Sequence, residues 1–238
     1  MNKLFELNFF YKGIKELTQE LDKQIQNNNK VSVFTPNVDH IINNENNELA
    51  KNIYSKSEYI IADGWPLVAV AKLKNMEISR ITGVDLMDEL LKLADKNKYS
   101  VFFLGATEDT LVKLSNNVKI KFPNIKQISY HHGFFDNDEE VINKINESGN
   151  NILFVGMGNP KQEIWIRNNF DKLNSNIMLG IGGALKIFSE EVERAPQWIQ
   201  KIGMEWFYRF LKEPNRLFSR YFIKYPKFIK ILIKELKI

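Results

Sequence analysis

The sequence has no cysteine and only three histidines among its 238 residues. Without cysteine the chain has no disulfide, no thiolate nucleophile and no zinc site built on sulfur. His40, His131 and His132 are too few for a histidine-rich metal site. No run of eighteen uncharged apolar residues occurs, so we expect no transmembrane helix. The first residues also lack the apolar stretch and cleavage site of a signal peptide, and we therefore expect a cytoplasmic protein.

Flexible linkers, low-complexity tracts and internal repeats are absent as well, which favours one globular domain with or without an appendage. The net charge of +4 is unevenly distributed. Residues 201–238 hold 10 Lys and Arg against 3 Asp and Glu, whereas residues 1–200 hold 23 against 26. A basic end on a nearly neutral body indicates an anionic partner located at that end.

Short apolar runs alternate with longer amphipathic stretches along the body of the chain. The predicted strands are 31–35, 59–63, 100–105, 125–130, 151–156 and 176–183. The predicted helices are 38–55, 66–74, 85–96, 107–122, 139–147 and 161–170, followed by a short segment from residue 184. Continuously apolar strands alternating with helices predict an α/β fold, namely a Rossmann-like, doubly wound, mainly parallel sheet with helices on both faces.

In such folds ligands bind beyond the carboxyl ends of the strands. Polar residues, glycines and one proline lie at the ends of several predicted strands or shortly after them, and this topology places them at one edge of the sheet. They are Thr35, Pro36, Asn37, Asp63, Gly105, Gly156, Gly158, Asn159 and Gly182.

The stretch EYIIADGWPLV, residues 58–68, places a carboxylate where a buried strand ends. Asp63 could shape a turn, cap the helix that starts near Pro66, or take part in chemistry at the mouth of the sheet. Its place at the ligand-binding edge favours chemistry.

The stretch FVGMGNPKQEIW, residues 154–165, is a glycine-rich turn between a strand and a helix. Such a turn can direct backbone N–H groups at a phosphate, or it can be a tight connection alone. Lys161 stands where the dinucleotide fingerprint needs its third glycine, so the indication of NAD is weak. Gln162 and Glu163 are expected near the ligand crevice.

Two further short patterns each allow two interpretations. The DND sequence at residues 136–138 resembles a metal-binding Asp-x-Asp, but helix capping explains it better because carboxylates favour helix N-termini. Arg80 lies close to a Thr-Gly turn, where it could hold a diphosphate through bidentate contacts or lie on the surface.

The character of the sequence changes after Pro196, and we divide the chain into an α/β domain at 1–195 and a helical appendage at 196–238. Aromatic residues are interleaved there with cations spaced three or four apart, which predicts one basic helical face. These cations are Arg209, Lys212, Arg216, Arg220, Lys224, Lys227, Lys230, Lys234 and Lys237. The appendage could dock on an anionic membrane surface, or pack on the body with a solvated face.

Several motifs, in order along the chain, together resemble the WecG/TagA/CpsF glycosyltransferases, glycosyltransferase family 26. These motifs are TPNVDHI (35–41), ADGWPLV (62–68), RITGVDLM (80–87), FLGA (103–106), VGMGNPKQEIWI (155–166), GIGGALKIF (180–188) and RAPQWIQKIGMEWFYRFLKEPNR (194–216).

The resemblance implies an inverting sugar transfer from a UDP-sugar to a lipid-diphosphate-linked sugar, without metal or other cofactor. In the TagA branch the donor is UDP-N-acetylmannosamine and the acceptor is undecaprenyl-diphosphate-linked N-acetylglucosamine, which yields the linkage unit of wall teichoic acid. Other branches use UDP-N-acetylmannosaminuronic acid or UDP-hexoses. The implied location is the inner face of the bacterial membrane, with no nucleic acid partner; a homo-oligomer stays open.

The resemblance assigns the general base to Asp63. It implies that Thr35 and Asn37 line the pocket. Arg80 and Gln162 are expected to contact the donor phosphates or sugar. The acceptor diphosphate is expected to contact Arg209, Arg216 and Arg220.

Two functions of other classes stay open at this stage. One is a Rossmann-type NAD oxidoreductase, although it lacks the full glycine fingerprint. The other is a non-catalytic module that binds a nucleotide sugar or a membrane and does not depend on Asp63.

Overall fold

The computed structural model describes residues 3–237, and at Arg216 it describes the backbone only. Strands β1 (Lys3–Leu4) and β2 (Leu7–Asn8) form a short antiparallel pair. A second sheet has six strands, and all its neighbouring pairs are parallel. Its strands are β3 (Val31–Phe34), β4 (Tyr59–Ile60), β5 (Ser100–Gly105), β6 (Gln127–His131), β7 (Ile152–Gly156) and β8 (Ile177–Gly180). Their order across the sheet is β4-β3-β8-β7-β5-β6, which confirms the predicted Rossmann-like fold class.

Helices connect these strands and follow the last of them. They are α1 (Ile14–Gln26), α2 (Val38–Asn44), α3 (Glu48–Ser55), α4 (Trp65–Leu73), α5 (Gly83–Asn97), α6 (Glu108–Lys121), α7 (Asp138–Glu147), α8 (Lys161–Asn168), α9 (Ala184–Phe188), α10 (Gln197–Lys201), α11 (Glu205–Lys212), α12 (Pro214–Phe218) and α13 (Pro226–Leu236), with a π-helical turn at Ser219–Lys224.

The sheet separates two hydrophobic cores. In β7 the side chains of Leu153 and Val155 enter the core shared with α2, α3, α4, α7, α8 and α13. Ile152 and Phe154 enter the opposite core, which α1, α5, α6 and α9 cover. Because both faces are buried, the strands are continuously apolar rather than alternating.

Two predicted elements differ from the structure near the end of β4. The helix predicted over 38–55 is interrupted, because Asn47 accepts a hydrogen bond from the N–H of Ala50 (3.1 Å) and starts α3. The strand predicted over 59–63 ends earlier, at Ile60. Its pairing with the β3 side nevertheless continues, since the N–H of Asp63 donates to the carbonyl of Pro36 (2.9 Å). Asp63 is therefore held at the sheet edge by its backbone.

The last helix of the appendage packs against the folded body. Phe228 and Ile231 of α13 are buried in the core that contains α2. Glu235 accepts hydrogen bonds from the N–H of Phe5 (3.0 Å) and from Lys74 (2.6 Å). The sequence analysis assigned neither the N-terminal strands nor α1, and the structure shows that the turn between β1 and β2 contacts α13 through Phe5.

The single basic helical face expected for the appendage does not form. Glu213 leaves the helical conformation, with φ −133° and ψ 60°, and Pro214 begins a new helix. Arg220 forms an ion pair with Asp39 of α2, and Lys224 lies 3.1 Å from the same carboxylate. Part of the basic sequence therefore packs against the body.

Candidate active site

A cavity of about 460 Å³ opens beside the carboxyl ends of β3 and β4, and the appendage forms its other wall. It brings together five of the residues that the sequence singled out, and these are Asn37, Asp63, Arg80, Arg209 and Arg220. The wall also contains residues that sequence analysis did not single out. They include Trp65, Glu205, Trp206, Tyr221, Phe222 and Tyr225.

Asp63 faces this cavity and does not cap the following helix. The N-cap of α4 is Gly64, whose φ of 129° is accessible mainly to glycine, and no side chain caps this helix. Within residues 3–237 the carboxylate of Asp63 has no hydrogen bond or ion pair. A carboxylate held at the edge of a cavity without a partner is available to accept a proton.

Burial raises the pKa of Asp63 from its ordinary value of 3.8 to about 6. The guanidinium of Arg80 and the ring of His40 lower this pKa and so act against burial. The carboxylate of Glu205 raises the pKa further, whereas Arg209 lowers it. A base with a pKa near 6 is ionised at neutral pH and still basic enough to share a proton in a transition state.

Arg80 reaches the cavity from the bridge that pairs Ala62 with residue 80. Its Nη2 donates to Glu205 at 2.9 Å, and its guanidinium carbon lies 5.8 Å from the centre of the Trp65 ring. The appendage therefore contacts Arg80 through Glu205. The contact of Arg80 with the donor phosphates or sugar stays a prediction.

Arg209 projects from α11 toward the loop that follows β8. Its Nη2 lies 3.9 Å from the position that a Cβ atom of Gly183 would occupy. In the part of the chain that the structure describes, its guanidinium has no ion pair or hydrogen bond with another side chain. An unneutralised cation close to Asp63 is a natural contact for the phosphates of a substrate.

Of the two other predicted arginines of the appendage, Arg220 lies in the cavity wall, whereas the side chain of Arg216 is not described. Arg220 lines the cavity but is paired with Asp39, so its charge is partly neutralised when the appendage is docked. The predicted contact of Arg216 with the acceptor diphosphate lies outside the described residues, because it depends on that side chain.

Thr35, Pro36 and Asn37 connect β3 to α2. Thr35 is buried, and its hydroxyl donates to the carbonyl of Gly180 (3.1 Å). Asn37 caps α2 by accepting from the N–H of Asp39 (3.0 Å), and its Oδ1 lies 2.8 Å from Nδ1 of His40. Of Thr35, Pro36 and Asn37, only Asn37 lines the cavity wall.

The glycines at the ends of β5 and β7 are required by close packing. A Cβ atom on Gly105 would lie 2.5 Å from the carbonyl oxygen of Gly156. A Cβ atom on Gly156 would lie 2.5 Å from the side chain of Leu185. These positions shape the edge of the sheet without lining the cavity.

Gln162 and Glu163 are buried beneath the glycine turns, each with 1% of its surface exposed. Gln162 accepts hydrogen bonds from the N–H groups of Gly158 (3.2 Å) and Gly182 (3.0 Å) and so ties two loops together. Glu163 accepts from Gln162 (2.8 Å) and from Asn159 (3.2 Å). All five residues lie outside the cavity wall, and their substrate contacts stay predictions.

The DND sequence acts at a helix start. Asn137 caps α7 by accepting from the N–H of Glu139 (3.1 Å), and Asp138 accepts from the indole N–H of Trp165 (2.9 Å). Across residues 3–237 no group of three or more His, Asp or Glu side chains is arranged to hold a metal ion. The capping interpretation of this motif is thus supported by the hydrogen bond that Asn137 accepts from the N–H of Glu139.

Sequence analysis did not single out Glu205, which contacts two arginines of the body. It stands in the first turn of α11, where an acidic residue is ordinary because of the helix dipole. Only its contacts with Arg80 and Arg194, which are distant in the sequence, distinguish it from such a residue.

Comparisons with known proteins agree with the resemblance seen in the sequence. A model of the Glycosyl transferase WecG/TagA/CpsF family matches residues 3–238. Similar proteins from Staphylococcus aureus strains MW2, NCTC 8325 / PS 47 and MRSA252 are each called N-acetylglucosaminyldiphosphoundecaprenol N-acetyl-beta-D-mannosaminyltransferase. Each is 35% identical to this chain over 194 residues, which cover 81% of this chain and 76% of the relative. The chain therefore belongs to the WecG/TagA/CpsF family of glycosyltransferases.

Proposed function

We propose that this protein transfers N-acetylmannosamine from UDP-N-acetylmannosamine to N-acetylglucosamine linked through a diphosphate to undecaprenol, as the names of its relatives indicate for them. The product would be the linkage unit of wall teichoic acid. The observation that carries the proposal is Asp63, a carboxylate with a pKa near 6 that faces a cavity beside Arg80 and Arg209.

The chemistry proposed is a direct displacement with inversion. The acceptor hydroxyl attacks the anomeric carbon of the donor sugar and gives its proton to Asp63, while the bond to UDP breaks and its electron pair leaves with the diphosphate. One base is sufficient for this reaction, whereas glycoside hydrolysis needs two carboxylates. Arg209 and Arg80 supply positive charge for the leaving diphosphate, so the reaction is proposed to need no metal ion.

The same site is compatible with another UDP-sugar as donor, such as N-acetylmannosaminuronic acid or a hexose, within the same family. A Rossmann-type NAD oxidoreductase is a weaker candidate, because Lys161 replaces the third glycine of the fingerprint and the family is one of glycosyltransferases. A non-catalytic binding module would not need the raised pKa of Asp63.

A donor panel tests the proposal directly. We expect the purified chain to release UDP from UDP-N-acetylmannosamine when a soluble lipid-diphosphate-linked N-acetylglucosamine analogue is present, and NMR of the product to show the inverted anomeric configuration. Release that requires another UDP-sugar would move the chain to another branch of the family. No release from any donor, or loss of turnover in EDTA, would contradict the proposed function or its metal independence.

We further propose that residues 196–238 act as the membrane-docking part of the protein and complete the active site of residues 1–195. Apolar side chains are exposed along this segment beside its lysines, a composition typical of interfacial helices. They include Trp198, Ile202, Leu211, Phe218, Phe222, Ile223, Ile229 and Ile233. Within residues 3–237 the structure contains no helix that is long and apolar enough to cross a membrane. From the exposed apolar side chains and the lysines of this segment we propose a peripheral location on the inner face of the bacterial membrane.

Replacing three of these apolar side chains should weaken membrane binding. Leu211, Ile223 and Ile229 are 62%, 62% and 56% exposed, so their change to serine should leave the fold intact. We expect binding to anionic liposomes to fall at least about tenfold in a sedimentation assay, because inserted apolar area is lost.

The matched control changes three exposed apolar residues of the body to serine. These are Leu73, Val112 and Ile120, at 69%, 41% and 80% exposure. Equal losses in both triple variants, or no loss in the appendage variant, would contradict docking through the appendage.

A further inference from the structure

Glu205 joins the appendage to two arginines of the body. Its Oε2 lies 2.9 Å from Nη2 of Arg80, and its Oε1 lies 3.5 Å from Nε of Arg194. Arg194 in turn contacts Asp85 of α5 at 2.7 Å. The side chains of Glu205, Arg80 and Arg194 are only 16%, 17% and 21% exposed, so solvent screens these contacts less than it screens surface ion pairs.

These contacts fix the orientation of α11. Just before this helix, Gly203 packs so closely on Trp65 that a Cβ atom there would lie 2.7 Å from the indole ring. Glu205 then binds the body in the first turn, and one turn later Arg209 reaches the loop at Gly183. Residues four apart lie on the same side of a helix, so the contact of Glu205 directs Arg209 toward the strand ends.

Glu205 also balances the charges that face Asp63. In the body, Arg80 and His40 act on this carboxylate, and Asp39 is paired with Arg220. In the appendage, Glu205 and Arg209 act on it. The cation Arg220 and the phenols Tyr221 and Tyr225 line the same cavity. Glu205 is the anion among the groups with the largest effects on the pKa of Asp63.

We propose that Glu205 is a positioning residue of the transfer reaction. Its contacts with Arg80 and Arg194 hold α11 so that Arg209 lies close to the strand ends. Its carboxylate also keeps one negative charge among the arginines around Asp63. This role rests on the proposed function for its effect on turnover. The contacts with Arg80 and Arg194 can be tested without turnover.

The test compares Glu205→Gln with Glu205→Asp and with a control, Glu193→Gln. Glu193 forms an exposed ion pair with Lys212, a residue of α11, at 3.0 Å, but Glu193 does not line the cavity. Each variant is examined in three ways: hydrogen exchange of the amides of α11, NMR titration of the Asp63 carboxyl carbon, and the pH dependence of kcat for UDP release.

We expect faster exchange in α11 for Glu205→Gln and a lower pKa of Asp63, because the anion that favours the protonated form is gone. The acidic limb of the kcat profile should move to lower pH, and kcat itself should fall about tenfold or more because Arg209 is misplaced. Glu205→Asp should restore the titration of Asp63 at least in part, since it keeps the charge. Glu193→Gln should behave as the wild type in all three measurements.

Unchanged exchange and unchanged titration in Glu205→Gln would overturn the inference, as would equal effects in Glu193→Gln. If the wild-type protein releases no UDP from any donor, the proposed function fails. Exchange and titration then still decide whether Glu205 holds α11 and acts on Asp63.

Discussion

Replacing Asp63 with asparagine should lower kcat for UDP release by about 10²- to 10⁴-fold, the range expected when a general base is removed. Asparagine has nearly the same shape but accepts no proton at neutral pH. The backbone of residue 63 is held by the carbonyl of Pro36, so the local fold should persist. Rates measured under saturating donor and acceptor would isolate the chemical step from binding.

The wild-type rate should itself depend on the ionisation of this group. Since the pKa of Asp63 is about 6, kcat/KM should fall as the pH drops below that value and the carboxylate becomes protonated. This acidic limb should be missing from the residual activity of Asp63→Asn.

The same substitution should make the protein more stable at neutral pH. The pKa of Asp63 is about 6 in the folded chain, above the unfolded value of about 3.9. The folded state therefore binds more protons between these values, and this group reduces stability progressively as the pH rises through that window. Asp63→Asn should gain about 1–3 kcal/mol at pH 7, or several degrees in Tm, and nothing below about pH 4.

Asp136→Asn is the matched control for this prediction. Asp136 is exposed and belongs to the DND sequence, away from the cavity. This variant should keep wild-type turnover and stability. Full turnover in Asp63→Asn, or a large loss in Asp136→Asn, would show that the base was assigned to the wrong carboxylate.

Replacing Arg209 with alanine should lower kcat by about 10²- to 10³-fold, the loss seen when one preorganised group that stabilises developing charge is removed. The guanidinium has no ion pair among the described residues, so its removal breaks no salt bridge that stabilises the fold. Charge builds up on the diphosphate as the sugar leaves. For that reason kcat should suffer more than the KM for the donor.

The control for Arg209 is Lys212→Ala on the same helix. Lys212 pairs with Glu193 on the surface and does not line the cavity. Its loss should change kcat less than about twofold, since exposed ion pairs contribute little. Arg209→Lys keeps the charge without the planar fork and should fall between alanine and wild type. Equal losses at both positions would show that a general charge effect, and not a contact at the site, had been removed.

Much of the fold could be predicted from sequence because its determinants are local or periodic. Continuous apolar runs separated by helices predict a parallel sheet, and the helix that follows β5 was predicted to begin at Thr107. In the structure Thr107 does accept the N–H of Thr110 at 3.3 Å. The break at Asn47 was missed because asparagine within an amphipathic run is a weak signal on its own.

The candidate site was predictable only in part. Strand ends share one edge of a parallel sheet, so topology alone placed Asp63 and Asn37 there. Gln162 was expected near the ligand crevice because it follows a glycine-rich turn. In the structure it bonds the turns at Gly158 and Gly182, and its contact with the donor stays a prediction. Which face of α8 is buried depends on its packing against the sheet, and the residue types do not reveal it.

By itself the sequence determined the parallel α/β sheet, the position of Asp63 at its edge and the family of the chain. Only the tertiary structure decided what surrounds that carboxylate. Arg80 and Glu205 are 125 residues apart along the chain yet 2.9 Å apart in space. The physical reason is that periodicity and capping act over a few residues, whereas burial and ion pairing depend on groups brought together by the complete fold.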